Sequence, residues 1–477
     1  MFTWISGPLL YVISEWTIRI AMLVVITRRR RPSSAQAWLL LIFFLPWPGF
    51  LLYLIIGQNR LPRHRLERHA RLLEELRSLG RRFQHHPSIL RPKLTGEART
   101  AVALAERLGN LPILSGNDFE LIPDTDAFID RLIADIDTAE HHVHLLFYIF
   151  APDRTGLRVT RALKRAVRRG VKCRVLVDAA GSRALVRRHG ARLRKVGVQV
   201  HEALPVSFFR RRAARIDLRN HRKLAVIDGR VAYTGSQNIV NADYGKRDLI
   251  WRDLMARLTG PIVLELQVVF FDDWSIETGE LLDAARVFPE PQLTGGAAAQ
   301  VLPSGPNYPT ENYQRLVVAA LHAARQRVTI TTPYFVPDAT FMQAIETAVL
   351  RGVEVEMIVP RRCDQILVGL ATRAYFSDLL EAGVDLHLHE RGLLHAKTMT
   401  VDDEIAFFGT SNFDIRSFAL NFEINLVFYG VEEAAAMRAV QDWYIGESST
   451  LTHESWGERS AARRVLENIA KLFSPLL

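Results

Sequence analysis

The stretch His221-Arg222-Lys223-Leu224-Ala225-Val226-Ile227-Asp228 is answered later in the chain by His395-Ala396-Lys397-Thr398-Met399-Thr400-Val401-Asp402. Both read His-x-Lys-x4-Asp. One such octet is expected by chance on the order of 0.01 times in a chain of this composition, so two in register carry weight. Each is followed by a small polar cluster, Gly235-Ser236-Gln237-Asn238 and Gly409-Thr410-Ser411-Asn412, and in both the asparagine lies seventeen residues after the histidine. Only eight of the 61 basic side chains are lysines, yet two of the eight take these equivalent places.

The likeness extends outward on both sides. Tyr148-Ile149-Phe150-Ala151-Pro152-Asp153 matches Tyr334-Phe335-Val336-Pro337-Asp338, Arg169-Gly170-Val171 matches Arg351-Gly352-Val353, and Asp273-Trp274 matches Asp442-Trp443. The chain therefore duplicates itself from about residue 118. In each half, apolar β-rich runs such as Cys173 to Val177 and Val355 to Val359 alternate with helical stretches such as Leu157 to Arg169 and Thr340 to Arg351. That pattern predicts an α/β sandwich per half, over 118–290 and 306–477, the second ending in a helix. The linker is expected at 291–305, where Pro291, Gly295, Gly296, Pro303 and Gly305 cluster.

If the runs beginning at His221 and His395 are strands, His and Lys project from one face and Asp228 and Asp402 fall on the opposite parity. Asp228-Gly229 is a hairpin signal, and the returning chain brings Ser236 and Asn238 beside the histidine, with Ser411 and Asn412 as their counterparts. An imidazole, an ammonium and an amide suit a phosphodiester. Two such half-sites facing across a pseudo-twofold axis would place a histidine on each side of one phosphorus. One attacks to form a phosphohistidine; the other protonates the leaving alkoxide and then deprotonates the incoming hydroxyl. Each imidazole needs an orienting carboxylate, and the candidates are Asp253, thirty-two residues after His221, and Glu423, twenty-eight residues after His395. A protonated lysine is no metal ligand and the carboxylates are not clustered, so neither metal nor cofactor is expected.

The 477 residues allow two or three domains, and 48% hydrophobic residues suffice for sizeable cores. Two cysteines, Cys173 and Cys363, cannot build a disulfide framework. A net charge of +10 points to a polyanionic partner, lipid or nucleic acid. Residues 1–60 hold two apolar runs. Ala37 to Ile56 carries no charge over twenty residues, about 30 Å of helix, although Pro46-Trp47-Pro48-Gly49 predicts a kink or a re-entrant hairpin. Gly7 to Thr27 contains Glu15 and Arg19 at a spacing that lets them pair. Arginines flank both runs, so the positive-inside rule gives no clean orientation. Residues 61–117 are expected as a basic connecting helical region, with Arg63 to Arg82 lying on anionic headgroups. Phe208, Phe209, Arg210, Arg211 and Arg212 form an aromatic-basic patch suited to lipid. Glu458 to Phe473 reads as an interfacial or a packed helix.

On its two His-x-Lys-x4-Asp motifs the sequence resembles the phospholipase D superfamily. Leu45-Pro46, Leu51 to Gly57 and the C-terminal Leu472 to Leu477 resemble segments of bacterial cardiolipin synthases. The resemblance implies two tandem phospholipase D-like α/β sandwich domains related by a pseudo-twofold duplication, preceded by an N-terminal transmembrane helical hairpin. It implies transfer of a phosphatidyl group between two phosphatidylglycerol molecules, giving cardiolipin and glycerol. His221, Lys223, Asp228, His395, Lys397 and Asp402 would be catalytic, with Asn238 and Asn412 in support. The expected partners are phosphatidylglycerol, cardiolipin and an anionic membrane, with no nucleic acid. The expected location is the bacterial inner membrane, multi-pass, with the catalytic part favoured on the cytoplasmic side. A hydrolase of the same superfamily, a phospholipase D or a membrane-tethered nuclease, is the alternative.

Overall fold

The structure is a computed structural model that describes residues 7–29, 32–57, 65, 67–71, 96–109, 111–205, 217–245, 248–308, 311–472 and 474. It divides into two compact units, residues 1–61 with 206–217, and residues 62–205 with 218–477.

In the first unit, residues 7–28 form the one described helix long and apolar enough to cross a membrane. Glu15 and Arg19 pair on it at 3.3 Å, as their spacing predicts. The second apolar run is not one span. It breaks at Leu45 into the helices Pro32–Phe44 and Pro46–Ile56. Pro46 and Pro48 supply no backbone N–H, and their rings displace the preceding turn. The chain then doubles back: Trp38 meets Tyr53 edge to face at 5.2 Å, whereas fifteen residues of straight helix would separate them by about 22 Å. Gly49 makes the fold-back possible, since a Cβ there would come within 3.1 Å of the Ile42 backbone.

The second unit is built on one sheet. Its first repeat supplies β1 (Leu114–Ile122), β2 (His142–Phe147), β3 (Lys172–Asp178), β4 (Gln199–Ala203), β5 (Lys223–Ile227), β6 (Val231–Gly235) and β7 (Met255–Thr259). The second supplies β8 (Ala297–Ser304), β9 (Arg327–Thr331), β10 (Glu354–Pro360), β11 (Asp385–His389), β12 (Thr398–Val401), β13 (Ile405–Gly409) and β14 (Glu423–Tyr429), and β15 (Ser448–Leu451) lies on the outer edge. The first seven strands run in the order β4-β3-β2-β5-β6-β7-β1, and the second seven repeat it as β11-β10-β9-β12-β13-β14-β8. The repeats join where β1 pairs antiparallel with β8.

That junction corrects the expected linker. Residues 297–304 are a fully buried strand, because Ala297 to Leu302 is an apolar run whose flanking Pro and Gly mark its ends instead of a flexible connection. One apolar cluster includes Leu224 and Phe270 of the first repeat with Phe408 and Phe428 of the second, so the halves share a core. The expected basic connecting region also differs, since β1 begins at Leu114 and helix Gly96–Gly109 precedes it. Of the predicted basic helix, residues 65 and 67–71 are described. Arg65 donates two hydrogen bonds to Glu277, and His69 meets Asp272 at 2.9 Å, so these side chains face protein.

Candidate active site

His221 and His395 do not begin strands as expected. Each sits just ahead of one, in a segment bonded to the other repeat. The His221 N–H donates to the Phe422 carbonyl at 2.9 Å, and the His395 N–H donates to the Arg252 carbonyl at 2.7 Å. These exchanges bring the residue after Phe422 and the residue after Arg252 against the two imidazoles. His221 Nδ1 lies 2.9 and 3.0 Å from the Glu423 carboxylate oxygens, and His395 Nδ1 lies 2.7 Å from Asp253 Oδ1. The pairing is crossed: each repeat supplies the carboxylate for the other's histidine.

A hydroxyl steadies each carboxylate. Ser236 Oγ donates to Asp253 at 2.6 Å and accepts from the Leu254 N–H. Thr410 Oγ1 donates to Glu423 at 2.5 Å and accepts from the Ile424 N–H. The counterpart of Ser236 is thus Thr410, while Ser411 accepts from Asn425 at 2.9 Å. Thr410 lies fifteen residues after His395, as Ser236 does after His221, so register alone would have found it. Asn238 accepts from the Ile149 N–H at 3.0 Å, fixing the loop that carries Tyr148. Asn412 Nδ2 donates one of its two N–H groups to Asp414 at 3.0 Å, which fixes the amide.

Lys223 and Lys397 are buried beside the histidines, and each ammonium donates to the carbonyl of the histidine two residues before it. The remaining N–H groups of each ammonium can meet an anionic oxygen. Asp228 and Asp402 hold another place. Asp228 accepts from the N–H groups of Glu140, His141 and His142, and Asp402 from those of Arg325, Gln326 and Arg327. Both sit at turns with φ of 53° and 50°. The motif aspartate therefore ties its hairpin to the start of β2 or β9, in keeping with its opposite strand parity and against the catalytic assignment the resemblance implied.

Sequence reasoning missed several neighbours. Tyr148 packs on His221 at 5.0 Å, Trp251 on His395 at 4.8 Å and Tyr334 on His395 at 6.4 Å. Both tyrosines open the first repeated segment, which was their visible signal. Arg222, fully buried, pairs with Asp273 at 2.6 Å and donates to the Glu423 carbonyl at 3.0 Å, holding the strand that carries the carboxylate. Its counterpart in the second repeat is Ala396. The repeated Asp-Trp pair has diverged accordingly: Asp442 bonds Arg438, and Trp443 is exposed where Trp274 is buried. The aromatic-basic patch, Phe208, Phe209, Arg210, Arg211 and Arg212, lies outside the described residues.

Burial, aided by the Lys223 charge and opposed by Glu423, pushes His221 down to about 4. Burial with Lys397 pushes His395 down to about 3 against the pull of Asp253. Burial also lowers Lys223 to about 8 and lowers Lys397. Burial opposes ionisation of Glu423 and Asp253, but the adjoining histidine, its hydrogen bond and the lysines outweigh it and hold both carboxyls below their ordinary range. Lys397 acts on His221 and Lys223 on His395, so the half-sites share one electrostatic environment. An ionised carboxylate only accepts hydrogen bonds, so Nδ1 of each neutral imidazole carries the proton and Nε2 keeps its lone pair.

A duplicated sheet that presents two His–Lys pairs, each completed by the opposite repeat, defines a phospholipase D-like unit. The matching family, "Cardiolipin synthase, PLD-like domain", covers residues 132–253 and 317–444, and a phospholipase D-nuclease N-terminal family covers residues 18–58. The chain belongs to the cardiolipin synthase family of the phospholipase D superfamily. It is 40% identical to "Cardiolipin synthase A" of Yersinia pseudotuberculosis serotype O:1b (strain IP 31758) and of Yersinia pestis, over 97% of this chain and 95% of each relative. The phosphatidylserine synthase of Haemophilus influenzae Rd KW20 shares the fold, with a TM-score of 0.60 at 14% identity, covering 79% of this chain and 98% of that one.

Proposed function

We propose that this chain is a cardiolipin-forming phosphatidyltransferase acting on phosphatidylglycerol. The observation that carries the mechanism is the crossed pairing, which leaves two neutral, oriented imidazoles in one site. Nε2 of one histidine attacks phosphorus, a P–N bond forms and the P–O bond to glycerol breaks, while the other histidine supplies the proton to the departing alkoxide. A glycerol hydroxyl of a second phosphatidylglycerol then gives its proton to that second histidine and displaces the first. Lys223 and Lys397 offset the charge on the non-bridging oxygens. With both imidazoles neutral, two ammonium and two carboxylate charges balance. An arriving phosphodiester adds one negative charge, which favours a proton on one imidazole and so prepares the acid.

The relatives' name supports the reaction, and the apolar helix at residues 7–28 supports a membrane location. The finer reading is a protein of the bacterial inner membrane, held there by that helix and the folded-back helices Pro32–Phe44 and Pro46–Ile56, with its catalytic unit in the cytoplasm. A cysteine at exposed Lys172 should then react with a membrane-impermeant reagent only after permeabilisation.

Mass spectrometry of labelled phosphatidylglycerol incubated in vesicles with the purified chain and a chelator tests the reaction. Cardiolipin and glycerol are expected from the unmodified chain, and neither from His221→Ala or His395→Ala. Release of phosphatidic acid without cardiolipin would reassign the chain as a hydrolase.

A further inference from the structure

Helix Ala461–Leu472 is built inside out for a water-facing element. Its Glu467 is 1% exposed, turned with Ala470 into the protein, while Val465, Leu466, Ile469 and Leu472 are between 48% and 79% exposed. At 100° per residue those four side chains fall within one stripe about 120° wide, opposite the buried edge. A helix that ended in water would reverse this arrangement.

The surroundings identify what covers the stripe. Three guanidinium groups, Arg373, Arg459 and Arg463, converge on the single Glu467 carboxylate at 3.2, 2.6 and 3.3 Å, so two positive charges are left over at that point. Arg464 adds another on the exposed surface. Arg373 and Arg463 also line a groove of ≈ 210 Å³ whose lining includes Ile366. Ile366 and its neighbour Leu367 expose apolar surface at the start of helix Ile366–Ala382. Apolar side chains beside surplus arginines fit one environment, the boundary where acyl chains meet anionic headgroups.

We propose that the exposed face of helix Ala461–Leu472, with the Arg373–Arg459–Arg463 cluster, is an interfacial docking surface that inserts into bilayers containing anionic phospholipid. The apolar stripe enters the acyl boundary and the guanidinium cluster takes headgroup phosphates. This face would bring the catalytic unit against the membrane that holds its lipid, independently of the N-terminal apolar helix.

The test uses the full chain carrying His221→Ala, so that the readout needs no turnover and stands apart from the reaction assigned above. Cys363→Ala removes the half-buried thiol and leaves Cys173, which is buried. An environment-sensitive fluorophore is attached at Ile469→Cys, and the protein is reconstituted in vesicles of phosphatidylcholine with or without phosphatidylglycerol. With phosphatidylglycerol, the emission should shift to the blue and brominated acyl chains should quench it about tenfold more than without. Arg463→Gln with Arg464→Gln should remove the difference between the vesicles. A probe that stays as wet with phosphatidylglycerol as in detergent overturns the proposal, and quenching indifferent to phosphatidylglycerol overturns its anionic selectivity. A blue shift already present in detergent, together with disulfide cross-linking of the unlabelled Ile469→Cys chain to a second copy, would show that another molecule of the protein covers the stripe and would overturn the bilayer as its occupant. Equal thermal unfolding of labelled and unlabelled protein keeps misfolding from mimicking any of these outcomes.

Discussion

Glu423 of the second repeat holds His221 of the first at 2.9 Å, and Asp253 of the first returns the arrangement to His395 of the second at 2.7 Å. Neither repeat contains a complete histidine–carboxylate pair. The ancestral single copy would have needed a second copy of itself to assemble this geometry, and the tandem chain makes that partnership covalent.

Loss of either carboxylate should fall on the chemical step. Glu423→Gln and Asp253→Asn are each expected to lower kcat about 10²- to 10⁴-fold with KM little changed. Thr410→Val should cost about tenfold alone, little in a Glu423→Gln background, and multiply with Ser236→Ala, whose hydroxyl serves the other pair. Steady-state kinetics of cardiolipin formation would check all of these, and Thr410→Val failing to multiply with Ser236→Ala would contradict two separate pairs.

The acid and base limits of the reaction follow from burial. With His221 and His395 lowered to about 4 and 3, the nucleophile stays neutral down to about pH 4, and because the acid's proton is taken up on binding, kcat/KM should rise as the pH falls from 7 and turn down only near pH 4. With Lys223 lowered to about 8, kcat/KM should decline above that pH as the ammonium is lost, and Lys223→Arg should shift that limb upward. A pH–rate profile with its acid limb at 6.5 would refute the buried, neutral histidines.

His142 and His144 stack at 4.4 Å inside the first repeat, and His144 stacks on Phe270 at 4.3 Å. Burial lowers His142 to about 4 and lowers His144 as well. Unfolding therefore takes up protons below the ordinary histidine value, and the stability present above about pH 6.5 is lost as the pH falls towards 4. His142 accounts for about 3 kcal/mol of this at most. Thermal unfolding between pH 4 and 7 should slope less steeply in His142→Gln.

The motif aspartates are expected to matter for folding more than for chemistry. Asp228→Ala and Asp402→Ala each strip the acceptor from three backbone N–H groups and put alanine at positive φ, at a cost of about 2–4 kcal/mol. Activity per folded molecule should stay near that of the parent at low temperature. A folded Asp402→Ala chain without turnover would restore its catalytic assignment.

The diverged Asp-Trp pairs should respond unequally. Asp273→Ala leaves Arg222 buried without its carboxylate and should cost about 3–5 kcal/mol, whereas Asp442 is exposed and its loss leaves the buried Arg438 still paired with Glu356, so Asp442→Ala should cost under about 1 kcal/mol. Denaturant unfolding of the two variants separates them.

Much of this is legible in the sequence. The octets, their spacing to Ser236 and Asn238, and the choice of Asp253 and Glu423 all rest on the chemistry a phosphodiester demands at fixed sequence intervals. The crossing was not legible, because two carboxylates at similar distances from their own histidines look local in one dimension. Only the backbone exchanges at Phe422 and Arg252 reveal it. Pro303 and Gly305 disguised β8 as a linker, since the same residues that punctuate loops also mark the ends of strands. The Leu45 break was half visible: Pro46-Trp47-Pro48-Gly49 announced a bend, but the fold-back needed the Ile42–Gly49 contact.

The ladder between β1 and β8 also restricts how the molecule can move. A jaw-like opening between the repeats would have to sever those backbone bonds and split the shared apolar interior. The two histidines are therefore carried on one continuous sheet and not on separable jaws.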